Sequence, residues 1–195
     1  MNRNLALSAV LMAASLGAFA QTTASTVQRD VNQETRIEKG LQSGSLNTRE
    51  AAKLEREESK VDRLQARSLK DGSLSPEEQA KLRAAQNQVS QDIKTAKHND
   101  VTGNPQSASS QRMQADVQRN INQQQRVENG IQNGSMTNRE VAKAERGQAR
   151  VDHKEYTAGR DGHVGAAEQH RVQRTENRQS RRIHHEKHDA QERKS

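Results

Sequence analysis

The sequence predicts an all-α protein made of two tandem three-helix units joined by a flexible linker, the second unit less well packed. When the sequence is shifted by 90 positions, residues 27–99 align with residues 117–189 without a gap, and 28 of the 73 aligned pairs are identical. Within each unit the apolar residues recur at helical spacing, not in the alternation of strands. A repeated segment of this kind is a structural module.

Composition limits how large a core the chain builds. Only 23 of the 175 residues after position 20 are Leu, Ile, Val or Phe, a fraction of about 13% against the roughly 20% below which disorder is common. Little apolar area is therefore available to offset backbone entropy. We expect thin helical bundles or coiled coils with partial disorder, not a large globular core.

Residues 1–20 have the layout of a secretory signal peptide. Arg3 is followed by an apolar run from Leu5 to Ala18, and Ala18-Phe19-Ala20 is a small-x-small cleavage site. The apolar run is too short for an ordinary membrane-spanning helix. We therefore expect a periplasmic or secreted protein cut near Ala20, with a short tail at 21–26 and no integral membrane span in the mature chain.

Unit 1 covers residues 27–99 and is expected to hold three helices. The first runs from about Thr26 to Leu41, the second from about Thr48 to Leu69, and the third starts at Pro76. The apolar anchors of these helices have helical spacing. They are Val27, Val31, Ile37 and Leu41 in the first helix, Leu54, Val61 and Leu64 in the second, and Leu82, Ala85, Val89, Ile93 and Ala96 in the third.

The turns between the helices share one plan. A glycine ends each preceding helix, and a capping residue followed three positions later by glutamate begins the next. These pairs are Asn47 with Glu50, Ser75 with Glu78 (where Pro76 takes the first helical position), and Thr137 with Glu140. In the fourth turn Gly165 replaces the capping side chain, so that helix start is expected to be weaker.

Unit 2 covers residues 117–189, and four of its substitutions suggest a poorer core. Leu54, Leu64, Leu69 and Val89 of unit 1 correspond to Ala144, Lys154, Gly159 and Gln179. We expect unit 2 to be less stable and helical only in part. Residues 100–116 contain glycine, proline, serine and glutamine and are typical of a flexible linker. Residues 190–195 are a C-terminal tail.

Two turns resemble degenerate EF-hand calcium loops. Asp71-Gly72-Ser73-Leu74 with Glu78 matches the second half of that motif, and Asp161-Gly162-His163-Val164 with Glu168 repeats it. Arg67 and Leu69 occupy the earlier ligand positions, whereas calcium needs six to eight oxygens. A capped helix-turn-helix is therefore favoured, and calcium is not expected at these turns.

Two surface features of unit 2 are candidate binding sites. His184 and His188 lie four apart and could present imidazoles to Zn²⁺ or Cu²⁺; the alternative is a solvated, histidine-rich helix. A basic run could neutralise a polyanion; its alternative is a solvated face. The residues of this run are Arg171, Arg174, Arg178, Arg181 and Arg182. Aromatic side chains for base stacking are lacking, and export argues against intracellular nucleic acid.

Catalysis finds no support in the sequence. The chain has no cysteine and no Gly-x-Ser-x-Gly elbow, and the pattern shows no paired acids in an apolar setting. We therefore expect a protein that is not an enzyme and has no catalytic residues and no bound organic cofactor.

The chain resembles two groups of exported bacterial proteins. Arg36-Ile37, Gly40, Ser43 to Leu46, Asp71 to Ser75 and Lys97 to Asn99 are similar to motifs of small, uncharacterised exported helical repeat proteins of Gram-negative bacteria. That resemblance implies a periplasmic helical protein. Leu46-Asn47-Thr48-Arg49-Glu50 and Leu74-Ser75-Pro76-Glu77-Glu78 resemble the Leu-Thr-x-x-Gln motifs of the periplasmic Spy/CpxP stress proteins, with Glu in place of Gln. This second resemblance implies chaperone activity.

The leading functional hypothesis is a non-enzymatic periplasmic interaction or stress-related protein. It would bind polypeptides or envelope polyanions through apolar stripes at the helix junctions and the basic third helix of unit 2. The alternative is a periplasmic protein that binds Zn²⁺ or Cu²⁺ through histidine. A third possibility is that unit 2 is a decayed copy without a binding role.

Overall fold

The computed structural model describes the backbone of residues 10–189 and the side chains of residues 23–189. This range contains six helices and no strand, which confirms the all-α prediction. In chain order the helices are α1 (Val10–Ser43), α2 (Thr48–Ser68), α3 (Pro76–Lys97), α4 (Ala108–Gln132), α5 (Asn138–Gly159) and α6 (Ala166–Lys187). Residues 1–9 of the expected signal peptide and the tail at 190–195 lie outside the described residues.

The helix boundaries follow the predicted caps. The side chains of Asn47, Ser75 and Thr137 each accept a hydrogen bond from the backbone amide three residues on, and the glutamate carboxylate there accepts one from the backbone amide of the cap residue. Gly165 makes no side-chain hydrogen bond at the start of α6. The preceding turns hold glycines at positive φ, 77° at Gly44 and 97° at Gly72, a conformation that glycine adopts without strain.

The two repeats, 27–99 and 117–189, pack against each other through their first two helices. The most extensive helix contacts join α2 to α5 and α1 to α4; α3 packs on α1 and α2, and α6 on α4 and α5. Both apolar core clusters combine residues from the two repeats. The centre of the molecule is therefore a four-helix layer that neither repeat builds alone.

A pseudo-twofold axis relates the two repeats. Arg49 donates to the carbonyl of Asp161 at 2.7 Å, and its counterpart Arg139 donates to the carbonyl of Asp71 at 3.1 Å. The start of each middle helix thus meets the end of the other, so α2 and α5 are antiparallel. Ser59 Oγ donates to the carbonyl of Ala149 at 2.8 Å, and these residues occupy equivalent repeat positions, which places the axis between them.

The segment expected to be a flexible linker is shorter and more closely attached than predicted. α4 begins at Ala108, so residues 108–116 are helical. Ser107 caps this helix by accepting from the amide of Ser110 at 3.1 Å. The amide of Gly103 donates to the carbonyl of Gly44 at 2.8 Å, which holds the connection against the first turn.

Repeat 2 is better packed at two of its substituted positions than the sequence suggested. Gly159 is buried, and a Cβ added there would lie 2.9 Å from the Cβ of Ala52 and still closer to Met113. Gln179 is buried as well, and its amide donates to the carbonyl of Ala144 at 2.8 Å. Gly159 therefore fits against Ala52 of repeat 1, and Gln179 is hydrogen-bonded within its own repeat.

The predicted apolar stripes lie inside the molecule. Among the described side chains, Val101 is the one large hydrophobic residue that is exposed, at 50%. No helix in the described part of the chain is both long and apolar enough to cross a membrane.

Candidate functional site

Charge is divided between the interior and the surface. Among the described side chains, thirteen of the 24 acidic residues are buried, whereas every lysine and arginine is at least partly exposed. A buried charge usually has a counter-ion beside it. Here the interior is acidic and the exterior basic, and both features are candidate sites.

The acidic interior lies where α1, α2 and α5 face one another. Each of these helices places acids at spacings that share one helical face. The buried carboxyl groups are Asp30 and Glu34 on α1, Glu55, Glu58 and Asp62 on α2, and Glu145, Asp152 and Glu155 on α5. On α4 the residues aligned with Asp30 and Glu34 are the buried amides Asn120 and Gln124.

These acids form two clusters of closely spaced oxygens. In the first acidic cluster, one oxygen from each of Asp30, Asp62 and Glu145 lies within 4.8 Å of the other two. In the second acidic cluster, Glu34, Glu55 and Asp152 meet the same limit. The pseudo-twofold axis relates the clusters, since Asp62 corresponds to Asp152 and Glu145 to Glu55. Each cluster therefore draws carboxylates from both repeats.

Carboxamide side chains supply the hydrogen bonds that reach this region. Gln86 donates to Asp30 at 2.6 Å and Gln124 to Glu145 at 3.1 Å. Asn120 donates to Glu155 at 2.8 Å, and Gln148 donates to Asp152 at 3.0 Å. These neutral donors orient the carboxyl groups but leave their charges uncompensated.

Burial shifts the ionisation of these groups. Loss of hydration raises the pKa of Asp30 and of Asp152 to about 7. Burial, with a smaller contribution from the neighbouring acids, also holds the pKa values of Glu34 and Glu55 well above their usual range. Ionised carboxylates are therefore unfavourable in this interior unless a bound proton or cation neutralises them.

The expectation of no paired acids in an apolar setting is wrong. Asp62 and Asp152 interact side by side at the centre of the molecule, and both are buried. The sequence did carry a signal, because Glu55 and Asp62 recur unchanged as Glu145 and Asp152, next to the apolar anchors Leu54 and Val61. Composition alone makes such acids look like ordinary surface charges.

The basic run predicted on α6 forms an exposed ridge. All five arginines are exposed, and their spacing places them on one side of the helix. The residues of this arginine ridge are Arg171, Arg174, Arg178, Arg181 and Arg182. Their counterparts on α3 are Lys81, Ala84, Gln88, Gln91 and Asp92. The arginine ridge is therefore a property of repeat 2 alone.

The predicted histidine pair lies on the exposed surface near the end of α6. The rings of His184 and His188 stack with centroids 4.3 Å apart, and Nδ1 of His188 lies 2.7 Å from the carbonyl oxygen of His184. His185 and Arg181 line the same open surface cavity. The structure thus brings two imidazoles together. His163 and His170, near the start of α6, are the other histidines considered as a third metal ligand, and they do not line this cavity.

The EF-hand-like turns use their carboxylates locally. Asp71 accepts hydrogen bonds from the backbone amide and the hydroxyl of Ser73 at 2.9 and 3.0 Å, which lower its pKa. Glu78 and Glu168 bond the backbone at the starts of α3 and α6. These contacts fit a capped helix-turn-helix.

Comparisons with protein-family models, with curated proteins and with solved structures found no match to this chain.

Proposed function

We propose that this chain is an exported, non-enzymatic helical protein that binds anionic polymers of the cell envelope through the arginine ridge of α6. The observation that carries the proposal is the division of charge. With thirteen acids buried, the formal net charge of +7 understates how basic the surface is. A surface of this kind attracts polyanions over long range and releases their counter-ions on binding. The layout of residues 1–20 supports export.

Burial of the apolar stripes favours polyanions over polypeptides as partners. A protein that holds unfolded chains needs exposed apolar area. Here most anchors of the helices are buried, and Leu64, Ala85 and Ala96 are half-buried. Val101 is the single large exposed hydrophobic residue among the described side chains. The chaperone activity implied by the resemblance to the Spy/CpxP proteins has no matching surface in this range.

The neighbouring helix extends the ridge into a groove. Arg150 of α5 lines a cavity of about 240 Å³ together with Arg178 and Arg182 of α6. Guanidinium groups bind phosphate and sulfate through paired N–H donors, so converging arginines suit a polymer that carries such groups. We therefore place the binding face on α6 and the adjacent side of α5.

The test compares binding of the mature protein to a sulfated polysaccharide and to lipopolysaccharide over a range of salt concentrations. The ridge variant changes Arg174→Ala, Arg178→Gln, Arg181→Gln and Arg182→Gln, largely restoring the residues found on α3. We expect at least a tenfold loss of affinity in about 0.1 M salt and a shallower dependence of the logarithm of affinity on that of salt.

The matched control removes the same charge from the other repeat. It changes the exposed residues Lys53, Arg63, Arg67 and Lys70 to glutamine. If both variants lose affinity equally, net charge alone governs binding and the assignment to α6 is wrong. Absence of binding by the wild-type protein at low salt would reject the proposal itself.

The stacked rings of His184 and His188 favour a second candidate function, binding of Zn²⁺ or Cu²⁺. Repeat 1 provides a comparison, because Nδ1 of His98 makes the same 2.7 Å backbone contact beside Lys94 instead of a histidine. Calorimetric titration should show binding that is lost in His184→Ala with His188→Ala and kept in His98→Ala. Binding that survives the double variant would remove this site.

A further inference from the structure

The two acidic clusters in the interior are unlike a solvated acidic patch. Asp30, Asp62 and Glu145 of the first are at most 2% exposed, and Glu34, Glu55 and Asp152 of the second are at most 3% exposed. The ion pairs among the described side chains involve other acids, Glu57, Glu176 and Glu186. Six carboxyl groups thus share a small volume without a direct ion pair among the described side chains.

Many of the oxygens in this volume accept no hydrogen bond. Both carboxyl oxygens of Glu55 are buried without a donor, and one oxygen of each of the other five acids is in the same condition. Leaving a buried polar atom without a partner is unfavourable, and for a charged group strongly so. Two adjacent carboxylates cannot satisfy each other, because neither carries a hydrogen to donate; they need a shared proton or a bound cation.

Two neutral amides point to a ligand independently of the acids. Gln148 is 2% exposed and uses its nitrogen on Asp152, which aims the amide into the second acidic cluster and leaves Oε1 without a donor. Asn120 is fully buried; its nitrogen bonds Glu155, and Oδ1 is unpartnered. An amide oxygen left free beside carboxylates is a typical ligand for a hard cation.

We propose that the two acidic clusters are a pair of sites for hard divalent cations such as Ca²⁺, Mg²⁺ or Mn²⁺, one on each side of the pseudo-twofold axis. Each cluster offers three carboxylates from three helices. All-oxygen ligands select these ions over Zn²⁺ and Cu²⁺, which prefer nitrogen and sulfur. Gln148 bonds Asp152 of the second site, and Asn120 bonds Glu155, which interacts with Glu55 of that site, so both amides adjoin it. This proposal goes beyond polyanion binding and does not rest on it.

The cations would also stabilise the fold. Each one would neutralise carboxylates that α1, α2 and α5 bring together, so binding and closure of the helices are coupled. The ions would enter before the interior closes, so the mature protein should be refolded from guanidinium in chelator-treated buffer at pH 7.5, with Ca²⁺, Mg²⁺ or Mn²⁺ added separately. Retained metal is then measured by elemental analysis after gel filtration, and Tm by circular dichroism.

At a concentration about 100 times the dissociation constant, we expect at least one of these cations to raise Tm by about 5–10 °C. We also expect two ions to be retained per chain. The double variant Asp62→Asn with Glu145→Gln removes the first site and should retain one ion. Glu55→Gln with Asp152→Asn removes the second site and should also retain one.

The matched control is Glu57→Gln with Asp92→Asn, which removes the same charge at positions outside the interior and should retain two ions. Amides replace the acids isosterically, and their far-ultraviolet spectra verify that each variant is helical. The proposal is overturned if none of the three cations is retained or raises Tm. It is equally overturned if both double variants retain as many ions as the wild-type protein, because the cations would then bind outside the two acidic clusters.

Discussion

At the scale of single residues, two substitutions in repeat 2 fit the positions that they occupy. Gly159 stands where repeat 1 has Leu69, and the space contains Met113 and Ala52 of the facing helices. Gln179 stands where repeat 1 has Val89 and bonds a backbone carbonyl. The sequence alone suggested that both changes remove apolar side chains from the core, because it does not show which helix packs against these positions.

Restoring the leucine should therefore destabilise the protein. We expect Gly159→Leu to lower the free energy of unfolding by about 1–3 kcal/mol, because the added side chain overlaps Met113 and Ala52. Urea denaturation measures the change. Thr157→Leu, on the exposed side of the same helix, should stay within about 0.5 kcal/mol of wild type. A gain in stability from Gly159→Leu would instead support a decayed second unit.

Two interacting acids, Asp116 on α4 and Glu176 on α6, should make stability depend on pH. Burial, reinforced by Glu176, raises the pKa of Asp116 to about 8, and burial raises the pKa of Glu176 to about 7 despite Arg119 nearby. Both values exceed those of the unfolded chain, so the folded state binds more protons between about pH 4 and 8. Stability in chelator should therefore fall as pH rises through this range.

Removal of these two acids isolates their contribution to the pH dependence. In Asp116→Asn with Glu176→Gln, the free energy of unfolding measured in urea at pH 5, 6.5 and 8 should decline less steeply than in wild type. Glu57→Gln, an acid outside the interior, should keep the wild-type slope. An unchanged slope in the double variant would mean that both acids are ionised in the folded protein throughout.

At the scale of elements, local sequence signals predicted the start of a helix where the capping residue and its hydrogen-bond partners lie close together in the chain. The second and third helices of repeat 1 begin at the predicted residues because Asn47 and Ser75 bond backbone atoms three residues away. The start of α4 was missed although Ser107 caps it. The serine, glycine and proline content of this segment is typical of a linker, and only the capping serine distinguishes a helix start from a linker.

The caps of α3 and α6 offer a matched pair of substitutions. Ser75 and Gly165 have nearly the same backbone conformation, with φ values of −67° and −75°. Ser75→Ala should lower the free energy of unfolding by about 0.5–2 kcal/mol, whereas Gly165→Ser should raise it by a few tenths. Chemical denaturation of both variants checks the sign. A loss of stability in Gly165→Ser would show that the added hydroxyl does not cap α6.

At the scale of the whole molecule, the sequence predicted the helices but not their arrangement. The spacing of apolar residues identifies the buried face of a helix but not the helix that packs against it, so the sequence suggested two separate units. The structure instead pairs α1 with α4 and α2 with α5. The same pairing buries Glu55 and Asp152, whose positions beside apolar anchors become meaningful only once the opposite helix is known.

Shared cores predict a single unfolding transition. Both apolar clusters contain residues from the two repeats, so neither repeat can unfold while the other stays intact. We expect the calorimetric and van't Hoff enthalpies to agree, and helix content and Tyr156 fluorescence to change together. Two resolved transitions would show instead that the repeats are independent domains.

The two repeats bind each other through equivalent contacts, because Arg49 bonds Asp161 as Arg139 bonds Asp71. Each half therefore carries a surface that fits the other half. If the short connection at 98–107 opens, the first half of one molecule finds the same binding surface on the second half of another. Concentrated protein is therefore expected to form intertwined dimers by domain swapping, with the same internal contacts as the monomer.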